Sequence, residues 1–355
     1  MPLLVISAAE VAQVTREIPA SVFCDMLGTT MNAVSNHRPV AEAIPAIQNP
    51  QRTSTESEHH RFLYMPSRLA TPAQGSATSI KVVAAPKPDC TIPGLPASTL
   101  LMDEETGRIS AIVNASELTG IRTAAASALA TKILANPESK TLVVFGAGNQ
   151  AYWHARLILD LFPSVEKAQF VVRKPSPRSE ALLERIKSEY PQVASGVSTQ
   201  EGASEVTQRA DIICTCVPST TPLFAVTDLK VGVHINAIGS YTPSMFEFPP
   251  SLISPSTAQI PTILVDSREA CLHEAGELIE SGIKGEKLIE IGELCDADGK
   301  LKQDAETRVK LGRLRRPEGE RSLFKCVGVG AMDGAVTRLV VQVAKERGLG
   351  KLVDF

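Results

Sequence analysis

The segment from Lys140 to Phe162, KTLVVFGAGNQAYWHARLILDLF, constrains this chain more than any other. Thr141 to Phe145 is a short apolar run with three β-branched residues, and it stops abruptly at Gly146. Gly146 to Ala151 then spell GxGxxA, and Ala151, Ala155, Leu157, Ile158 and Leu161 recur at helical spacing. The pattern is strand, tight turn, helix. Gly146 permits the turn and Gly148 lets the backbone approach a pyrophosphate. Ala151 is small enough for the helix to pack against its strand, and the helix N-terminus offers free N–H groups and a positive dipole end to phosphates. A purely structural turn is the competing reading, but the strand before and the helix after favour a dinucleotide site.

A chain of 355 residues has room for about two domains. A net charge of −3 gives no electrostatic case for nucleic acid, and no apolar run approaches the ~18 residues of a membrane span. Seven cysteines, odd in number and without CxxC spacing, fit reduced thiols in the cytoplasm. His59 and His60 have no spacing that suggests a metal site. Residues 9 to 35 read as one helix and 36 to 75 as irregular. Strands are expected at Ser79–Val83, Thr99–Asp103 and Ile109–Val113, in a mainly antiparallel sheet. A small-faced helix over Glu117–Ala135 leads into alternating strands and helices, as in a doubly wound parallel sheet. Its further strands are Ala168–Val172, Asp211–Cys216, His234–Ile238 and Thr262–Val265. Residues 280 to 322 read as charged and loop-rich, and an apolar helix over Ala335–Ala344 is expected to cross back to the first domain.

The cofactor can be argued from the end of the second strand of the parallel sheet. NAD enzymes place an acidic residue there for the ribose 2′-hydroxyl. Here Val172 is followed by Arg173 and Lys174, with Arg178 nearby. A guanidinium suits a 2′-phosphate, so NADP is favoured and NAD kept as the alternative. The competing reading is a solvated basic turn.

Six stretches together resemble the ornithine cyclodeaminase/mu-crystallin family: Ser79–Val83, Leu118–Ala126 (LTGIRTAAA), Gly146–His154, Ile235–Ser240, Asp266–Glu277 (DSREACLHEAGE) and Phe324–Asp333 (FKCVGVGAMD). The resemblance implies a Rossmann-type domain (121–322) inserted into a split α+β substrate and dimerisation domain (1–120 with 323–355), and a homodimer. It implies amino-acid metabolism through a C=N bond at an α-carbon bearing a carboxylate. It makes Arg52, Lys81, Arg122 and Val327 substrate contacts. Arg122, Thr123, Gly146, Gly148, Asn149, Gln150, Arg173, Thr215 and Gly239 become cofactor contacts, with Arg173 resting on the basic turn just described.

The chain departs from the family in one respect. Family members carry an Asp shortly after the strand ending in Gly239, and the two matching positions here are Tyr241 and Ser244. Glu247, the nearest carboxylate, matches a different family position. Cyclodeamination needs repeated proton transfers, so this loss weighs against it more than against imine reduction, in which Lys81 or Tyr241 can assist. The leading expectation is an NAD(P)H-dependent reductase of ketimines or imino acids, or an amino-acid dehydrogenase, yielding cyclic or N-substituted amino acids. The alternatives are ornithine cyclodeaminase with catalytic NAD, and a non-catalytic NADPH-bound carrier.

Overall fold

The computed structural model describes residues 2–36, 44–71, 75–87, 90, 94–315 and 321–355. They fall into two compact units. Unit 1 comprises Met1–Arg122, Cys295–Lys300 and Gly328–Phe355, and unit 2 comprises Thr123–Leu294 and Leu301–Val327. No helix among the described residues is long and apolar enough to cross a membrane.

Unit 1 begins with a strand that sequence periodicity does not reveal, β1 (Leu3–Ile6). Ser7 then starts α1 (Ala8–Glu17) with a capping box: its hydroxyl accepts the Glu10 N–H at 3.3 Å and the Glu10 carboxylate accepts the Ser7 N–H at 2.8 Å. The single helix expected over 9–35 is in fact two, because Pro19 lacks an N–H and separates α1 from α2 (Ala20–Asn36). The stretch read as irregular holds β2 (Ile47–Gln48), β3 (Thr53–Glu56) and the long β4 (His60–Thr71); its residues 37–43 and 72–74 lie outside the described ones. Pro66 in its middle conceals β4, whose inward Leu63, Met65, Ser67 and Leu69 alternate regularly. β5 (Gly75–Pro86), β6 (Ala97–Met102) and β7 (Ile109–Asn114) follow at the expected places. Pairing along β2-β4-β5-β6-β7 is antiparallel, and β1 joins β7 in parallel.

One irregularity in this sheet matters for the site. β3 pairs with residues 61–64 of β4 and β2 with residues 68 and 69. Pro66 falls in the gap, where its missing N–H costs no ladder bond. Residues 49–52 span that gap, and they include Asn49 and Arg52.

Unit 2 is entered along α3 (Leu118–Leu134), whose Ala124, Ala125, Ala126, Ala128 and Ala130 are fully buried. In chain order come β8 (Thr141–Phe145), α4 (Asn149–Leu161), β9 (Lys167–Val172), α5 (Pro177–Glu189), β10 (Ala194–Thr199), α6 (Ala203–Thr207), β11 (Ile212–Thr215) and β12 (His234–Ala237). Then follow β13 (Ile263–Val265), α7 (Arg268–Glu274), α8 (Gly276–Ser281), β14 (Leu288–Glu290), α9 (Ala305–Leu314) and β15 (Ser322–Lys325). The strands lie in the order β10-β9-β8-β11-β12-β15-β13-β14, every neighbour parallel. The order reverses between β8 and β11, the switch point where doubly wound sheets bind ligands. Three of these strands escape the sequence pattern. β10 is an edge strand with little apolar content, β14 ends in Glu290 within the stretch that reads as charged loop, and β15, at the end of that stretch, carries Lys325.

The chain returns to unit 1 as α10 (Gly330–Glu346) and β16 (Lys351–Val353), which pairs with β1. α10 lies on the inner face of the sheet because two glycines let it. A methyl group on Gly330 would come within 2.7 Å of the Pro66 carbonyl oxygen, and one on Gly334 within 2.6 Å of the Ser79 hydroxyl. Cys295–Lys300 packs on α2 by the same device. Asn32 donates to the Cys295 carbonyl, Lys300 pairs with Asp25, and Gly28 faces Gly299.

A methyl group on Gly28 would sit 2.7 Å from Gly299 Cα, a backbone that has no rotamer to yield. Gly→Ala inside an exposed helix normally stabilises by about 1 kcal/mol. For Gly28→Ala the sign is expected to reverse, with a loss of about 1–3 kcal/mol in denaturant titration; a gain would mean the two backbones do not meet.

Candidate active site

In unit 2 the glycine turn expected to hold a nucleotide follows β8. Gly146 has φ of +118°, and a side chain there would also approach the Val217 Cγ1 to 2.9 Å and the Cys216 carbonyl to 3.1 Å. Both turn geometry and packing demand glycine. Gly148 differs. It is the N-cap of α4 with φ of −94°, open to any residue, and a methyl group on it would meet no protein atom within 4 Å. No side chain caps the helix there, so its first N–H groups face open space at a positive dipole end. A backbone on which nothing closes among the described residues fits a pyrophosphate laid against it. Asn149 opens the helix exposed, Gln150 follows half-buried, and Arg173, Lys174 and Arg178 are all exposed beyond the end of β9.

His154 takes no part in chemistry here. Its Nδ1 donates to the Gln150 carbonyl at 2.7 Å, so its Nε2 accepts from the Ser127 hydroxyl at 2.9 Å. Burial lowers its pKa to about 4, which keeps the ring neutral.

The ends of β11, β12 and β15 are tied together by charges fully removed from water. Glu247 Oε1 accepts the N–H groups of Ile238 at 3.0 Å and Gly239 at 2.6 Å, together with the Thr215 hydroxyl. Its Oε2 accepts the Ser240 N–H at 2.8 Å and pairs with Lys325 Nζ at 2.5 Å. Lys325 Nζ also donates to the Ser240 carbonyl at 3.0 Å and lies 3.4 Å from Glu277, which the Ser240 hydroxyl reaches at 2.7 Å. Burial alone would lower the Lys325 pKa, but Glu247 and Glu277 outweigh it and hold the ammonium charged. Burial raises the Glu277 carboxyl, partly offset by Lys325 and reinforced by Glu247. These contacts fix the surroundings of several of the expected residues. Glu247 is committed to backbone and lysine, so it does not stand in for the absent aspartate. Thr215 is buried with its hydroxyl turned to Glu247, and Gly239 is a glycine because a side chain would strike the Val217 carbonyl. Val327 is 6% exposed and joins the apolar core of unit 2. Tyr241 is half-buried and Ser244 exposed in the loop that Glu247 anchors.

Unit 1 gathers the cations. Lys81 and Arg122, 1% and 5% exposed, share one carboxylate, Asp333 in the first turn of α10. Lys81 Nζ lies 2.7 Å and Arg122 Nε 3.3 Å from Asp333 Oδ1. The Arg122 guanidinium occupies the space that a side chain at residue 328 would need, which requires Gly328, itself at φ +83°. Burial lowers the Lys81 pKa to about 8; Asp333 opposes the shift, and the positive Arg122 and Arg52 add to it. The 49–52 segment thus brings Arg52 within electrostatic range of Lys81, and Asn49 accepts the Ala331 N–H at 3.0 Å. Two buried cations, Lys81 and Arg122, against the one carboxylate of Asp333 leave a positive excess that an anion relieves. Thr123, buried, follows Arg122 along α3. Sequence reading missed Asp333 as a participant, although it closes the FKCVGVGAMD stretch. Its approach to Lys81 is a contact 252 residues apart in the chain, which no local pattern encodes. Among the described residues, no group of His, Cys, Asp and Glu is placed to hold a metal ion.

Comparison with known proteins adds an independent line. The model of the ornithine cyclodeaminase/mu-crystallin family matches residues 9–347. A Delta(1)-pyrroline-2-carboxylate reductase from Bacillus cereus is 33% identical over 261 residues, 72% of this chain and 73% of its own length. The ketimine reductase mu-crystallin of Mus musculus is 30% identical over 249 residues, 70% of this chain and 74% of that one. Among solved structures, the Delta(1)-pyrroline-2-carboxylate reductase of Thermococcus litoralis, in complex with NADH and L-proline, superimposes with a TM-score of 0.80 at 25% identity. That match covers 99% of this chain and 100% of the other.

Removing Lys325 would leave two carboxylates buried without their cation. Lys325→Met is expected to destabilise the protein by about 3–5 kcal/mol at pH 8. The deficit should shrink at pH 5, because the raised Glu277 takes up a proton and discharges one of the pair. Denaturant titrations at the two pH values check this, and an equal deficit at both would mean Glu277 is not the group left strained.

Proposed function

The chain belongs to the ornithine cyclodeaminase/mu-crystallin family and is an NAD(P)-dependent oxidoreductase acting on C=N bonds; from that premise we propose that it reduces cyclic α-imino acids to cyclic α-amino acids, with NADPH preferred. The observation that carries the substrate class is the buried positive excess of Lys81 and Arg122 around the carboxylate of Asp333, with Arg52 close enough to act on Lys81. An α-carboxylate neutralises it, and Arg supplies the paired donors that fix a carboxylate's orientation. Orienting the carboxylate orients the adjacent α-carbon, and hydride transfer depends on that geometry.

Reduction converts C=N to CH–NH as a hydride reaches the α-carbon, a proton reaches nitrogen and NAD(P)H becomes NAD(P)+. The bound nicotinamide supplies the hydride. In this reading Gly146, Gly148, Asn149 and Gln150 present the phosphate cradle, with Thr123 beside it, and Arg173 faces the 2′-phosphate. Thr215 and Gly239, held by Glu247, shape the nicotinamide end through the backbone. Lys81 holds the substrate and gives a proton to nitrogen, with Tyr241 as the second candidate donor. An ammonium with a pKa near 8 is a far readier donor than an ordinary lysine. A carrier of apolar ligands would gain nothing from a buried cation cluster. Cyclodeamination lacks its usual carboxylate here, since Tyr241 and Ser244 occupy both positions and Glu247 is committed elsewhere. The reading includes a homodimer through unit 1, supported by the half-buried apolar row of Ile80, Leu100 and Ile112 on its outer sheet face.

The deciding experiment follows NADPH absorbance as the purified protein meets the cyclic imino acids formed from ornithine and lysine. Stoichiometric cyclic amino acid is expected. Proline and ammonia released from ornithine with NAD, without net NADPH use, would replace this reading with the lyase. Arg173→Asp should lower kcat/KM for NADPH about 10-fold or more and leave NADH nearly untouched. Equal loss with both cofactors would remove the 2′-phosphate contact. With respect to pH, deprotonation above about 8 removes both the charge and the proton of Lys81. Imine reduction should therefore decline above that pH. In Lys81→Met that limb should disappear, with activity lower by about 100-fold or more. Full activity in both Lys81→Met and Tyr241→Phe would dispose of the proton-donor assignment.

A further inference from the structure

Met65, Lys81, Thr99 and Val113 stand opposite one another on β4, β5, β6 and β7, so their side chains leave the sheet on one face. Directly paired residues hold their Cβ atoms about 5 Å apart, which makes Thr99 an immediate neighbour of Lys81. The row beside it contains Ser67 and Ser79, also buried. There every hydroxyl is used: the two bond each other at 2.9 Å, and Ser67 donates to the Gly330 carbonyl at 3.1 Å under α10. Thr99 is different. It is 1% exposed, and its hydroxyl has no hydrogen-bond partner among the described residues. Neither does Asp333 Oδ2, and the Arg122 Nε, although 3.3 Å from Asp333, is not aligned for a bond. Unspent polar atoms are thus grouped around one lysine.

A buried hydroxyl without a partner is a net cost to folding, and valine fills the same volume without it. Threonine at this point of a β-strand is therefore explained by a group from outside the chain. We propose that Thr99 is a substrate contact, its hydroxyl donating to the α-carboxylate of the imino acid beside Lys81. The proposal rests on the imino-acid reading given above and extends it by a residue that no motif picks out. The carboxylate suits the hydroxyl better than the imine nitrogen does. The cations around Lys81 draw the anion to this row, and the imine nitrogen, once Lys81 has protonated it, has no lone pair left to accept a bond. The nitrogen's N–H instead matches the unpaired acceptor, Asp333 Oδ2.

The test compares wild type with Thr99→Val, Thr99→Ser and Thr99→Ala in steady-state reduction of pyrroline-2-carboxylate. Thermal unfolding is followed in parallel, with and without L-proline. In Thr99→Val the KM for the imino acid should rise about tenfold or more, the KM for NADPH should stay put, and the ligand-free protein should unfold at the same temperature or higher. Thr99→Ser should restore the imino-acid KM to within about twofold of wild type. If the valine variant does not fold, the alanine variant carries the same comparison. An unchanged imino-acid KM in a folded Val or Ala variant overturns the contact while leaving the reductase intact. Absence of imine reduction in wild type sinks the parent reading instead. The contact is then decided by whether L-proline raises the unfolding temperature of wild type more than that of Thr99→Val, with equal shifts, or none in either, counting against it.

Discussion

The shared carboxylate of Asp333 is the interaction on which the functional half of unit 1 depends. Without it Lys81 and Arg122 would be two buried cations side by side, a cost that neither packing nor backbone dipoles relieve. With it, Lys81 stays held but loses part of its grip on its proton, because Asp333 only partly counters burial and the nearby guanidinium charges. Much local architecture follows from keeping this set together. Gly328 leaves room for the Arg122 guanidinium, Gly330 and Gly334 let the start of α10 descend onto β4 and β5, and the gap at Pro66 is spanned by the segment that carries Arg52. The site is polar where a core should be apolar, and its charges do not balance. A protein that folded around such an excess for no purpose would be less stable than one with leucines there.

Unit 2 solves a different problem with a comparable device. Loops after the strands of a parallel sheet carry backbone N–H groups that no ladder satisfies. Glu247 gathers two of them, at residues 239 and 240, together with the N–H of Ile238, onto one carboxylate, and Lys325 from the neighbouring β15 compensates its charge. The result is a fixed strand end made from backbone, where glycine at 239 is compelled by the Val217 carbonyl. Carboxylates in this part of the sequence therefore read as catalytic candidates when their work is structural.

Much of this was legible in the chain itself, for identifiable reasons. β8, the turn and α4 announce themselves because the strand is buried on both faces, the turn needs glycine, and the helix is amphipathic, all within 21 residues. The cationic trio Arg52, Lys81 and Arg122 was visible only through resemblance, since an isolated lysine in a strand looks like a solvated one. Elements whose stability comes from distant partners left weaker marks. β4 hides behind its central Pro66, β15 behind Lys325, and β1 is too short for periodicity to register. Pro19 was a local signal overlooked under a strong helical repeat. The connection of Cys295–Lys300 to α2 carries no local signal at all.

The sequence by itself determined the class of fold and the presence of a glycine turn between β8 and α4, because period, glycine and chain direction are properties of neighbouring residues. It also carried the basic end of β9 and the loss of an aspartate at 241 and 244, which are matters of identity alone. Only the tertiary structure decided what each charge is for. Lys325 and Glu247 neutralise one another while Lys81 and Arg122 remain in excess, and the hydroxyl of Thr99 is left unspent where those of Ser67 and Ser79 are satisfied. Whether a buried polar group is compensated depends on partners up to 252 residues away, and that pairing is fixed by packing rather than by order along the chain.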